Sequence, residues 1–156
     1  MKVDDIKTVA VVGAGDMGHG IAEVALIAGY KVNLYDVKQE IIDRAEERIF
    51  QSLDKLVSKN KVPADHCEKI KSGLLKKTVE LAEAVKDADL VTEAAPEVLD
   101  LKKQLFAEMD KAAPEHALLA SNTSTMSITD IGSATNRPEK VLGMHYFNPA
   151  VLMKLV

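Results

Sequence analysis

The chain has 156 residues, 47% of them apolar, and a formal net charge of -4. That length supports one domain with a real core, and the acidic balance argues against a general nucleic-acid binder. No apolar run approaches the roughly 18 residues of a membrane span, Asp4 and Asp5 stand where a secretion signal would carry its apolar core, and the single cysteine, Cys67, provides neither an intrachain disulfide nor a metal cluster.

A cytoplasmic protein without a bound metal is the expectation. Val9-Ala10-Val11-Val12 reads as a buried strand, and Gly13-Ala14-Gly15-Asp16-Met17-Gly18 follows with the spacing G-x-G-x-x-G. This is the phosphate-cradling turn of dinucleotide-binding folds. Gly13 permits the tight turn, Gly15 leaves room for a pyrophosphate, and Gly18 lets the helix approach the strand. Ile21, Val24, Ala25 and Ala28 continue at helical spacing. The helix start offers free N–H groups and a positive dipole end to phosphates.

Tyr30 to Tyr35 reads as the second strand. Asp36 follows it, 18 positions past Gly18, near the roughly 20 expected of an acid that grips an adenosine ribose. Such a carboxylate accepts from ribose hydroxyls and repels a 2′-phosphate, which points to NAD over NADP. Lys38 is a mild counter-signal. The plainer alternative is that Asp36 caps the next helix.

Gln39 to about Ser58 is strongly helical, with Ile41, Ile42, Ala45, Ile49, Leu53 and Leu56 on one stripe. Asn60 to Pro63 breaks it, and a second helix is expected over Ala64–Leu75, giving a helical hairpin that protrudes from the sheet. Thr78 to Leu81 reads as the third strand, with a small helix near Glu83–Lys86. Ala88 to Ala95 is the fourth strand, closed by Pro96. A helix is expected over Leu99–Ala113, a fifth strand over Ala117–Ala120, and a capped short helix from Ser127. Lys140 to Met144 is the sixth strand, and apolar Val151–Val156 a seventh. Alternating strands and helices indicate an α/β fold: a Rossmann-type, doubly wound, mostly parallel sheet.

Ligands of such sheets sit at the carboxyl ends of strands. Three polar clusters fall there: Glu93–Lys102, Ser121–Thr125 and Gly143–Pro149. Oxidising an alcohol by hydride transfer needs a base near neutrality, which histidine supplies. It also needs a donor that holds the substrate oxygen, which serine supplies. His145, Ser124 and Asn148 are the candidates. Simpler roles stay open from the residues alone: a strand-end histidine, a capping loop over Ser121–Thr125, and a helix N-terminal acid at Glu97.

The stretches Val-Val-Gly-Ala-Gly-Asp-Met-Gly-His-Gly-Ile-Ala, Ala-Ser-Asn-Thr-Ser and Gly-Met-His-Tyr-Phe-Asn-Pro-Ala-Val-Leu-Met-Lys-Leu-Val resemble the NAD-binding domain of L-3-hydroxyacyl-CoA dehydrogenases, in a form like 3-hydroxybutyryl-CoA dehydrogenase. The resemblance runs from about Ile6 to Val156. It implies interconversion of L-3-hydroxyacyl-CoA and 3-oxoacyl-CoA with NAD, in fatty-acid β-oxidation or butanoate-type metabolism. On it, Gly13, Ala14, Gly15, Asp16, Met17 and Gly18 hold the pyrophosphate and Asp36 the adenosine ribose. Glu97 and Lys102 match cofactor-contacting positions. Ser124 matches the serine touching nicotinamide and substrate, His145 the general base, and Asn148 the asparagine near it. Ser52 and Lys59 match positions that bind CoA.

The resemblance also expects a glutamate after Met153-Lys154-Leu155-Val156, and then a helical domain that closes over the acyl chain and forms a homodimer. Residues 1–156 would then be the cofactor half alone, and weakly active by itself. The competing readings are a non-catalytic NAD-binding or interaction module and another two-domain β-hydroxyacid dehydrogenase.

Overall fold

The computed structural model describes residues 2–156. Its strands are β1 (Thr8–Val12), β2 (Lys31–Tyr35), β3 (Leu75–Thr78), β4 (Leu90–Glu93), β5 (Leu118–Ser121) and β6 (Val141–Gly143). They form one sheet in the order β3-β2-β1-β4-β5-β6, and every adjacent pair is parallel. The helices are α1 (Gly18–Ile27), α2 (Gln39–Ser58), α3 (Ala64–Lys69), α4 (Leu81–Val85), α5 (Leu99–Ala112) and α6 (Ile128–Gly132).

The central strand shows why two layers are needed. All five residues of β1 are buried. Val9 and Val11 join the core under α1 and α2, while Ala10 and Val12 join the core under α4, α5 and α6. Successive strand side chains point to opposite faces, so a strand apolar at every position must be covered twice. The order reverses between β1 and β4, and this switch point opens the crevice where such sheets bind ligands.

The long helix α2 has the bounds that its stripe predicts, and it buries Ile42, Ala45, Ile49 and Leu53. Asn60 (φ 54°) turns the chain after it, and a left-handed residue there is a common helix stop. The helix α3 folds back on α1, with the His66 ring bonded to the carbonyls of Leu26 and Ile27. The hairpin is therefore anchored on α1, and its tip, 58–61, is exposed.

Two expected elements differ. The second hairpin helix stops at Lys69, and a wide turn over Ile70–Leu74 leads straight into β3. The third strand thus begins three residues before the expected Thr78. Its Leu-Lys-Lys-Thr sequence has little strand character, but an edge strand tolerates charge. Lys77 pairs with Glu46 on α2 at 2.5 Å, and Lys76 reaches Glu83 on α4 at 3.9 Å. The expected seventh strand does not form. The N–H groups of Leu152 and Met153 bond the Pro149 carbonyl in a turn, and Leu152, Met153, Leu155 and Val156 are exposed.

One buried acid stands out in the α1–α2 layer. Glu23 is 1% exposed, and its Oε1 has no hydrogen-bond partner among the described residues. Burial pushes its carboxyl up from 4.5 to about 7, opposed by hydrogen bonding from Ser52 on α2. Between those values the folded chain holds a proton that the unfolded chain has released, so stability falls as pH rises. The expected loss from about pH 4.5 to about pH 7 is on the order of 3 kcal/mol. Glu23→Gln should flatten that slope in urea unfolding across the same range. An identical slope in both proteins would refute the assignment.

Candidate active site and cofactor cleft

The sheet register lines up the strand ends. Tyr35 pairs with Val12, Val12 with Glu93, Glu93 with Ser121, and Ser121 with Gly143. The residues that follow these ends, including Asp36, Gly13, Ala94, Asn122 and His145, therefore gather along one edge.

Each glycine of the first turn has a distinct spatial reason. Gly13 sits at φ +103°, and a Cβ there would lie 2.7 Å from the Ala94 carbonyl oxygen. A Cβ on Gly18 would lie 1.7 Å from the Gly13 carbonyl oxygen, so α1 can start here only with glycine. A Cβ on Gly15 would meet nothing within 4 Å. That open space is what a pyrophosphate approaching the backbone requires. No side chain caps the start of α1.

Asp36 does not cap α2, whose N-cap is Lys38. Its Oδ2 instead accepts from the Ala14 N–H at 2.8 Å. This bond ties the end of β2 to the glycine turn. A cleft of about 710 Å³ spans this region, lined by Gly13, Gly15, Met17, Asp36, Pro96 and Leu105 among others.

A second cavity, of about 370 Å³, holds the candidate chemistry. Ser124, His145, Asn148, Glu97, Lys102 and Asn122 line it. It shares Met17, Ala94, Ala95 and Pro96 with the larger cleft, so one extended ligand can reach from Asp36 to His145. Ser124 Oγ and His145 Nε2 lie 3.0 Å apart. Phe147 meets the imidazole edge-on, with ring centroids 4.9 Å apart. Asn122 Oδ1 accepts from the Tyr146 N–H at 2.8 Å, and the Met144 N–H donates to the Ser121 carbonyl. These bonds hold the His145 segment against the end of β5.

Lys102 and Glu97 enter this cavity differently. Lys102 is fully buried. Its Nζ donates to Glu93 Oε1 at 2.7 Å and to the Ala95 carbonyl at 3.2 Å, and stands 3.6 Å from Glu97 Oε1. Two of its three hydrogens are thus engaged in hydrogen bonds within the protein, and Glu97 pairs with it at ion-pair distance. Glu97 is half exposed, and its Oε2 accepts from Thr123 Oγ1 at 2.7 Å.

Sequence reasoning missed three residues of this network. Glu93 takes bonds from Lys102, from the Ala95 N–H at 2.6 Å and from Ser121 Oγ at 2.6 Å. Glu93, Ser121 and Asn122 were visible only as members of polar clusters at strand ends. The available signal was an acid closing an apolar strand, with a lysine on the following helix.

Ser52 and Lys59 line neither cavity. Ser52 lies half-buried on α2 beside Glu23, and Lys59 is the exposed C-cap of that helix. No group of three or more His, Cys, Asp or Glu side chains that could hold a metal ion occurs among the described residues. No helix among them is long and apolar enough to cross a membrane.

A switch-point cleft with an open glycine turn, a carboxylate closing the second strand and a Ser–His pair beyond it is the arrangement of a dinucleotide-binding dehydrogenase domain. The model of the 3-hydroxyacyl-CoA dehydrogenase NAD binding domain matches residues 8–156, and the chain belongs to that family. A curated relative, the 3-hydroxyadipyl-CoA dehydrogenase of Escherichia coli, is 45% identical over 152 residues, covering 97% of this chain and 32% of the relative. The probable 3-hydroxybutyryl-CoA dehydrogenase of Bacillus subtilis is 40% identical, covering 97% of this chain and 52% of the relative. The crystal structure of 3-hydroxybutyryl-CoA dehydrogenase from Escherichia coli matches with a TM-score of 0.91 at 44% identity, over 96% of this chain and 31% of that one. The chain thus spans between about a third and a half of these relatives.

The buried pair yields a stability prediction. Removing one partner leaves an uncompensated charge, which costs about 3–5 kcal/mol. Lys102→Met should lower unfolding stability by that order in urea titration. Glu93→Gln combined with it should cost less than the sum of the two single changes. Strict additivity would show that the two side chains act independently.

Proposed function

We propose that this chain forms the cofactor-binding and proton-transferring half of an enzyme that interconverts L-3-hydroxyacyl-CoA and 3-oxoacyl-CoA with NAD. The observation that carries the reading is the 3.0 Å Ser124–His145 pair, set in a cavity continuous with the cofactor cleft. NAD+ supplies the hydride acceptor when bound. His145 Nε2 takes the proton of the substrate hydroxyl as the C3 hydrogen leaves with its electron pair, which yields the carbonyl. Ser124 Oγ holds the substrate oxygen beside that nitrogen. Asn148 borders the same space. Glu97 is the exposed acid of the Ser124–His145 cavity, and Lys102 acts by fixing Glu97 and Glu93.

CoA binding rests on Ser52 and Lys59. A lysine on an exposed helix end can pair with CoA phosphates, and both residues lie outside the cofactor cleft. A helical partner domain and a homodimer belong to the same proposal. The exposed side chains of Leu152, Met153, Leu155 and Val156 support an apolar contact beyond this domain.

Cofactor preference follows from Asp36. Its free carboxylate oxygen accepts from a ribose hydroxyl and repels a 2′-phosphate. NADH should bind at least about tenfold tighter than NADPH, and Asp36→Ala should narrow the gap. Calorimetry that finds NADPH the tighter ligand of the unmutated chain would overturn this. Catalysis is tested at His145. With acetoacetyl-CoA and NADH, His145→Ala made in the enzyme with its proposed partner domain should lower kcat by about a hundredfold or more while NADH affinity holds. Retained turnover would remove His145 from the reaction.

A further inference from the structure

The glycine turn contains a residue that opposes its own purpose. Asp16 lies one position past Gly15, at the mouth of a cradle that takes two phosphate charges. An open helix start favours anions, yet a carboxylate there repels them. Its compensation comes from another element. Arg48, on the third turn of α2, donates from Nη1 to Asp16 Oδ1 at 2.8 Å. The guanidinium holds the Asp16 carboxyl below the ordinary carboxylate range, first through this hydrogen bond and then through its charge.

The surroundings fit a role in ligand binding. Arg48 and Arg44 line a hollow of about 250 Å³ with Ala14, Gly15, Asp16 and Ile41. That hollow shares Gly15, Asp16 and Ile41 with the cofactor cleft. The guanidinium is therefore beside the pyrophosphate position and outside the adenosine cleft. Both partners are solvent-exposed, at 57% and 85% of their side chains. Exposed pairs of this kind contribute little to folding. An arginine also keeps its charge at every accessible pH.

We propose that Arg48 is a cofactor-positioning residue: it neutralises Asp16 and holds that carboxylate beside the glycine turn, so that the turn stays attractive to the dinucleotide pyrophosphate. The proposal rests on the NAD reading above, and a specific dependence follows from it. Arg48 matters to cofactor affinity because Asp16 is present.

NADH affinity, measured by fluorescence titration at low and high ionic strength, tests it in four proteins: the unmutated chain, Arg48→Ala, Arg48→Lys, and Arg48→Ala combined with Asp16→Asn. Arg48→Ala should weaken NADH binding about five- to tenfold at low salt and less at high salt. Arg48→Lys should keep most of the affinity. The double variant should return to within about twofold of the unmutated chain. Thermal unfolding should be unchanged throughout, which separates this role from a structural one. Full affinity in Arg48→Ala would overturn the proposal. So would a loss that persists in the double variant, because Arg48 would then contact the phosphates directly. The unmutated chain's own affinity for NADH tests the cofactor reading separately from these ratios.

Discussion

A carboxylate shut away from water must find its compensation within the chain, and Glu93 finds it in three places. Lys102 reaches it from α5, Ser121 from the end of β5, and the Ala95 N–H from the loop just past β4. These bonds meet beside the switch point. They fix where β4 ends, how the Ala94–Pro96 loop leaves it, and how α5 is seated. That loop is the wall shared by the two cavities. The Ala94 carbonyl oxygen also stands 2.7 Å from where a Gly13 Cβ would be. The buried pair thus sets the far wall of the glycine turn as well as the floor of the Ser124–His145 cavity.

From that anchor the Ser124–His145 pair is positioned through the backbone. The Asn122 N–H donates to the Glu93 carbonyl, and Asn122 Oδ1 then receives the Tyr146 N–H. Ser121 carries a hydroxyl to Glu93 on its side chain and accepts the Met144 N–H on its carbonyl. Ser124 and His145 come from different strand ends, β5 and β6, and each is placed by its neighbours. Neither is deeply buried, which suits groups that must meet a substrate. The rigidity lies in the layer beneath them, a division expected of a preorganised site.

Much of this was legible in the sequence because it depends on local geometry. Gly13, Gly15 and Gly18 announce a turn by spacing alone, and the stripe from Ile41 to Leu56 gives α2 its bounds. The unbroken apolar run of β1 implies a doubly covered strand. What stayed hidden depends on partners far along the chain. The edge strand β3 carries Lys76 and Lys77, whose place is explained by Glu83 and Glu46 on two different helices. Val151–Val156 has the composition of a strand, but the turn at Pro149 takes it away from the sheet edge. Glu93 looks like one acid among many until Lys102 and Ser121 are seen around it. Arg48 reads as an ordinary charge on the outer face of a helix.

The two ends of the cleft solve opposite electrostatic problems, and their burial follows from this. At the Ser124–His145 end Glu93 and Lys102 are internal and paired with each other. Salt screens such a buried pair far less than a surface one. The proposed proton transfer between a substrate oxygen and His145, with Ser124 holding that oxygen, would require that constancy. At the pyrophosphate end the charge to be balanced arrives with the ligand and leaves with it. A buried cation there would stand uncompensated whenever the cleft was empty, at a large desolvation cost. The exposed pair of Asp16 and Arg48 avoids this, because each charge is solvated and balanced in the free protein. Sensitivity to ionic strength should therefore belong to cofactor capture, and resistance to it should belong to the chemical step.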